Sequence, residues 1–176
     1  MIYRPVPYVV KNIVDNLRNE YTEEKILPYF DFGTTVEVVN RLKKKSDNPD
    51  YSDKRYPLIW YLIDGSVKED IGDKRSNVRV AKNVTIIICN QTKRDFTSTE
   101  RYENNFIPVL RPIYDAFMLQ MKKSNLVRSK NGYEHEYYEN LFWGNEGLYG
   151  ATGNIFDDML DAIIIKGLDL LLIESC

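Results

Sequence analysis

Residues 84 to 121 constrain the fold of this chain more than any other stretch. Val84-Thr85-Ile86-Ile87-Ile88-Cys89-Asn90-Gln91-Thr92 is rich in β-branched residues and reads as a buried strand. Further on, Phe106, Val109, Leu110, Ile113, Phe117 and Met121 keep the spacing of one helix face. A strand therefore feeds a long helix. Such a junction is where many enzymes place a nucleophile or a phosphate loop. Here it is Lys93-Arg94-Asp95-Phe96-Thr97, charged and free of glycine. That composition points to a building block and away from an enzyme.

The helix has a start signal in Thr97 and Glu100, the spacing of a capping box. Pro108 and Pro112 then interrupt it. Proline removes a helix hydrogen bond and kinks the axis, so two helical pieces meeting near Asn105 are expected.

Upstream, Val6, Val9, Val10, Ile13, Val14 and Leu17 mark an N-terminal helix, with Pro5 and Pro7 near its first turn. Residues 26–32 read as a short extended segment ended by Gly33. Thr34 and Glu37 form another capping box, and a helix over about 35–45 would end on Lys43, Lys44 and Lys45, where its dipole favours cations. Val36 and Val38 leave a strand reading open there. Residues 56–63 read as a strand, and 78–89 as one bent strand or a pair, with Asn83 at the bend. Two further strands are expected over 133–143 and 162–173, the last broken at Lys166-Gly167.

These elements make one domain over 1–176, with long loops at about 46–56, 64–77, 122–132 and 144–154. A length of 176 residues suits one core and not two. The order lacks βαβ alternation. It predicts an α+β fold: a mainly antiparallel twisted sheet with its helices, among them the N-terminal one and the long kinked one, all packed against one face.

The motifs that carry chemistry are weak. Asp31-Phe32-Gly33 spells a kinase triplet, but the glycine-rich loop, strand lysine and His-Arg-Asp loop that must accompany it are missing. Gly144, Gly147, Gly150 and Gly153 match neither a P-loop nor a dinucleotide fingerprint. His135 is the only histidine, and it sits between Glu134 and Glu136, which excludes a two-histidine metal site. Asp157, Asp158 and Asp161 could hold Mg²⁺, as could Asp47, Asp50 and Asp53 in the first long loop, though solvated or capping carboxylates are commoner. Arg41 with Lys43 to Lys45 could touch phosphate, but a charged helix end is the plainer reading at a net charge of −2.

Cys89 and Cys176 are too few for a disulfide framework and suit a reducing interior. The N-terminus has no apolar core of a signal peptide, and no apolar run is long enough to span a bilayer. No cofactor is expected. Thirteen tyrosines give the chain an amphipathic surface stock that suits either a core with bonded hydroxyls or subunit interfaces.

The chain resembles small neck or tail proteins of tailed bacteriophages. The resemblance is carried by Tyr29-Phe30-Asp31-Phe32-Gly33, Tyr56-Pro57-Leu58-Ile59-Trp60, the Ile86-Ile87-Ile88 strand and Arg94 to Arg101. Asn105-Phe106-Ile107-Pro108-Val109-Leu110, Leu141-Phe142-Trp143-Gly144 and Asn154 to Ile163 extend it. Its order of elements is similar to the tail-terminator, or tail-completion, fold. The resemblance implies a virion protein, assembled in the host cytoplasm, that forms a ring. The ring, a hexamer or dodecamer, would cap a tail tube or join it to the head, contacting portal, adaptor or tail tube. DNA would pass through the lumen without specific binding, and no membrane is involved. It carries no catalytic residues. Candidate subunit contacts are Arg94, Asp95, Trp143 and Tyr149. The alternatives are a small nuclease-like metal enzyme using Asp157, Asp158 and Asp161, or a monomeric cellular binding module.

Overall fold

A computed structural model describes residues 5–20, 27–48, 50, 55–71, 77–129, 132–143 and 158–173. Helix α1, Val6–Glu20, buries Val6, Val9, Val10, Ile13, Val14 and Leu17, the stripe read from the sequence. Each such side chain contributes about 2 kcal/mol on burial. That dwarfs the few tenths of a kcal/mol from the exposed Lys11–Asp15 pair on its outer face. Packing, not surface charge, forms this helix.

Strand β1, Tyr29–Gly33, leads into α2, Thr35–Ser46. The helix reading of 35–45 holds. The Thr34 N–H donates to the Glu37 carboxylate at 2.9 Å. Strands β2, Leu58–Leu62, β3, Ser66–Ile71, and β4, Asn77–Gln91, follow. Next come α3, Ser98–Arg101, a π-helical segment, Tyr102–Leu110, and α4, Arg111–Lys123. Strands β5, Val127–Arg128, β6, Glu136–Trp143, and β7, Leu160–Leu172, complete the order.

The strands form one mixed sheet along the path β1-β2-β4-β7-β5, with β3 also on β4 and β6 also on β7. Among the described residues only β1 and β2 run parallel; the other pairings there are antiparallel. The α+β expectation is therefore met.

Three expectations about strands and layers need correction. The stretch 64–77 contains β3, which pairs Ser66 with Lys82 through Ile71 with Asn77. Its charged residues disguised it, and charge is what an edge strand carries to discourage further pairing. The stretch 122–132 contains the short β5, paired with Leu171 and Leu172. Finally, helices cover both faces of the sheet. On the first face, α1, the π segment and α4 pack on Ile59, Tyr61, Ile86, Ile88, Ile163 and Ile165. On the second, Val38 and Leu42 of α2 join Leu58, Trp60, Ile87, Cys89, Leu160, Ala162 and Ile164. The central strands are apolar at successive positions because both faces are covered.

The prolines do not split the long helix in two near Asn105. They widen it: Arg111 N–H bonds back to the Phe106 carbonyl, five residues earlier. Within this segment Asn104 Nδ2 also donates to the Glu100 carbonyl, at 2.7 Å. The wider turn brings Arg101, Asn105, Phe106 and Leu110 all to the buried side.

Asn83 is the bend expected in β4, with φ +53. The register of β4 on β7 shifts there, between Ala81–Leu170 and Val84–Leu168, and Gly167 in β7 has φ +77. The Asn83 N–H donates to Asp169 at 3.1 Å, fixing the bulge. Gly65 packs against the same bulge: a Cβ there would stand 2.7 Å from the Lys82 carbonyl oxygen.

Candidate functional site

The polar residues with chemical potential lie at the end of the sheet where β4 leaves for α3 and β7 begins. Asp161 and Arg101 have no exposed side-chain surface. Arg101 Nη1 donates to Asp161 Oδ1 at 2.8 Å and to Thr92 Oγ1 at 3.2 Å. Its Nε and Nη2 reach the carbonyls of Phe96, at 3.1 Å, and Lys93, at 2.7 Å. Asn105 Nδ2 donates to Asp161 Oδ2 at 2.9 Å and receives Asn90 Nδ2 on its own oxygen at 2.8 Å. The arginine thus ties the 92–97 turn to β7 from beneath. A buried, paired, hydrogen-bonded network of this kind fixes geometry.

Asp158 belongs to a different group. Its carboxylate accepts from Arg55 at 2.5 Å, from the Tyr56 hydroxyl at 3.1 Å and from Gln91 at 3.4 Å. Burial, with the nearby Cys89 and Asp158, pushes the Tyr56 phenol well up. Burial likewise pushes the Cys89 thiol up, away from nucleophilic reactivity. Asp158 and Asp161 are each held by their own cationic partner, Arg55 and Arg101. Asp157 lies outside the described residues. Among the described residues no group of three or more His, Cys, Asp or Glu side chains is arranged to hold an ion.

His135 joins the long helix to β6. Its Nδ1 lies 2.7 Å from the Tyr133 carbonyl, which can only accept, so Nδ1 carries the proton when the ring is neutral. Nε2 then accepts the Tyr114 hydroxyl at 2.7 Å. Beside it, Glu139 accepts from Tyr102 at 2.8 Å and from Arg111 Nε at 2.9 Å. These side chains clamp an edge strand to a helix.

Of the expected contact residues, Arg94 and Asp95 are both exposed on the pinned turn. Trp143 ends β6, opposite Leu160. Tyr149 lies outside the described residues. Sequence reasoning did not single out the exposed rings at the two ends of the sheet. Tyr8, 62% exposed, approaches Phe32 with ring centroids 6.5 Å apart beside β1. Tyr137 and Tyr138 are about half exposed on β6, at the far end. Their only signal is tyrosine on both sides of an alternating strand.

A scan of protein-family models finds none that matches the chain, and a search of curated proteins finds none of significant similarity.

Proposed function

We propose that this chain is a structural subunit of a closed homo-oligomeric ring, in the neck or tail of a tailed bacteriophage. The single observation that supports assembly is the placement of exposed aromatic rings at opposite ends of one sheet: Tyr8 and Phe32 at the β1 end, Tyr137 and Tyr138 at the β6 end. A ring needs two different patches on each subunit, each meeting the other on a neighbour. Tyrosine suits such contacts because it buries a large ring while keeping a wet hydroxyl.

The phage assignment draws on the sequence resemblance to tail-terminator proteins. In that role the ring, a hexamer or dodecamer, joins or caps head and tail components. Its partners are portal, adaptor or tail tube, and DNA threads the lumen without specific binding.

Light scattering across a concentration series, with electron micrographs at the highest concentration, tests the reading. Closed rings of a fixed subunit number are expected. A monomer persisting at the local concentration of a virion overturns it.

A further inference from the structure

The two ends of the sheet also differ in charge. Residues 34–45, the cap and body of α2, hold Arg41, Lys43, Lys44 and Lys45 against Glu37 alone. Residues 132–143, β6 and its approach, hold Glu134, Glu136 and Glu139 with no lysine or arginine. Part of each set is already used. Arg41 pairs with Asp31 at 2.8 Å, and Glu139 with Arg111. Among the described residues, what keeps no ion pair is the lysine run at the end of α2, and Glu134 with Glu136 at the start of β6, where Glu136 accepts the Tyr138 hydroxyl at 2.5 Å. Lys166, opposite Glu136 in the ladder and 5.7 Å from the Tyr138 ring, softens the acidic end without reversing it.

Glu136 lies on the face that α2 covers. Glu136 and Tyr138 lie across from Lys166 and Ile164, and Ile164 packs in the same cluster as Val38 and Leu42 of α2. Phe32 and Tyr137, but not Tyr138, match on the opposite face. Phe30, which stacks on Phe32, packs with α1, and Tyr137 lies across from Ile165 in that same core. A neighbour placed end to end, without being turned over, therefore sets lysine against glutamate on one face and ring against ring on the other. The β1 edge is not open for a continuous ladder. The Phe32 N–H is taken by Asp31 at 2.8 Å, and its carbonyl by Arg41. Such blunting leaves contact to side chains.

We infer that the ring contact, on which this inference rests for its premise, seats the lysine end of α2 in one copy against Glu134 and Glu136 of β6 in the next. The partner is a second copy of this chain in the same orientation.

Charge exchange tests it. Lys43→Glu, Lys44→Glu and Lys45→Glu together make one variant; Glu134→Lys with Glu136→Lys makes the other. Each alone puts like charges across the contact and is expected to raise the half-assembly concentration about 100-fold. Mixed in equal amounts, they restore assembly as alternating subunits, because each supplies the end the other lacks. Glutamate in the last turn opposes the dipole of α2. Circular dichroism therefore checks the fold, and a triple Lys→Gln variant, expected to weaken assembly about tenfold, stands in if it fails. In 1 M salt, where the screening length is about 3 Å, the difference between variants should shrink. A wild-type chain that stays monomeric overturns the ring reading itself. A wild-type ring whose folded variants assemble unchanged, or whose mixture does not recover, overturns only this contact.

Discussion

Arg101 and Asp161 stand 60 positions apart in the chain, yet their charged atoms meet at 2.8 Å with no exposed surface on either side chain. Removing one partner of such a pair strands the other, at a cost of about 3–5 kcal/mol. Arg101→Met is expected to lower the unfolding free energy by that amount in urea titration. Replacing both, as Arg101→Met with Asp161→Leu, is expected to cost less than the single change. A single-variant loss below about 1 kcal/mol would show that the pair does not anchor the turn.

The caps offer a smaller and cleaner test. Thr97 Oγ1 accepts the Glu100 N–H at 3.3 Å, at the start of the long helix. Thr97→Ala should cost about 1 kcal/mol. An unchanged denaturation midpoint would mean that the π segment and α4 hold the helix without its cap.

Gly65 and Gly167 should respond differently to alanine. At Gly167 an added Cβ meets no atom within 4 Å, so the cost is conformational: φ is +77, and a left-handed residue costs about 1–2 kcal/mol. At Gly65 the added carbon would stand 2.7 Å from the Lys82 carbonyl oxygen, which belongs to the backbone of β4. Gly65→Ala is therefore expected to be the more damaging. Equal melting temperatures would show that β4 yields at its bulge.

Titration should separate the tyrosines. Burial pushes Tyr56 and Tyr61 up, and the hydrogen bond to Glu139 does the same for Tyr102. For a group raised in the fold, the stabilisation is full below the unfolded value, about 10 for tyrosine, and is lost as pH rises through the folded value. Tyrosinate absorbance at 295 nm should lag behind that of the urea-unfolded chain above about pH 10. Glu37 and Glu100 run the other way. The Thr34 and Thr97 N–H groups hold them low, so their contribution is present above about pH 4.3 and fades as pH falls through the lowered values. Superimposable folded and unfolded tyrosine curves would contradict the burial of Tyr56 and Tyr61.

Metal addition decides the nuclease-like alternative. With Asp158 held by Arg55 and Asp161 by Arg101, Mg²⁺ or Mn²⁺ is expected to leave the melting temperature unchanged. A rise that Asp158→Ala abolishes would restore that reading.

The sequence made the fold legible where periodicity was strong. The α1 stripe, the capping boxes at Thr34 and Thr97 and the Asn83 bend are all local patterns with local causes. It concealed β3 because edge strands carry the charges that loops carry. The placement of α2 on the second face was hidden because Val38 and Leu42 say that a helix is amphipathic, not which face of a sheet receives it. Arg101 gave no sign of burial, since its partner Asp161 is distant in sequence and arginine is ordinarily solvated. The π segment was half legible: Pro108 and Pro112 announced a disturbance, and whether it became a kink or a widening depended on what lay beneath.

The crease at Asn83 and Gly167 sets how the domain comes apart. On one side of it β4 and β7 carry β2 and β6; on the other the same two strands carry β3 and β5. Neither panel owns its spine. Melting either one would strip partners from strands that run about 45–50 Å through both. The two halves should therefore lose amide protection together, as one cooperative unit, despite the line that divides them.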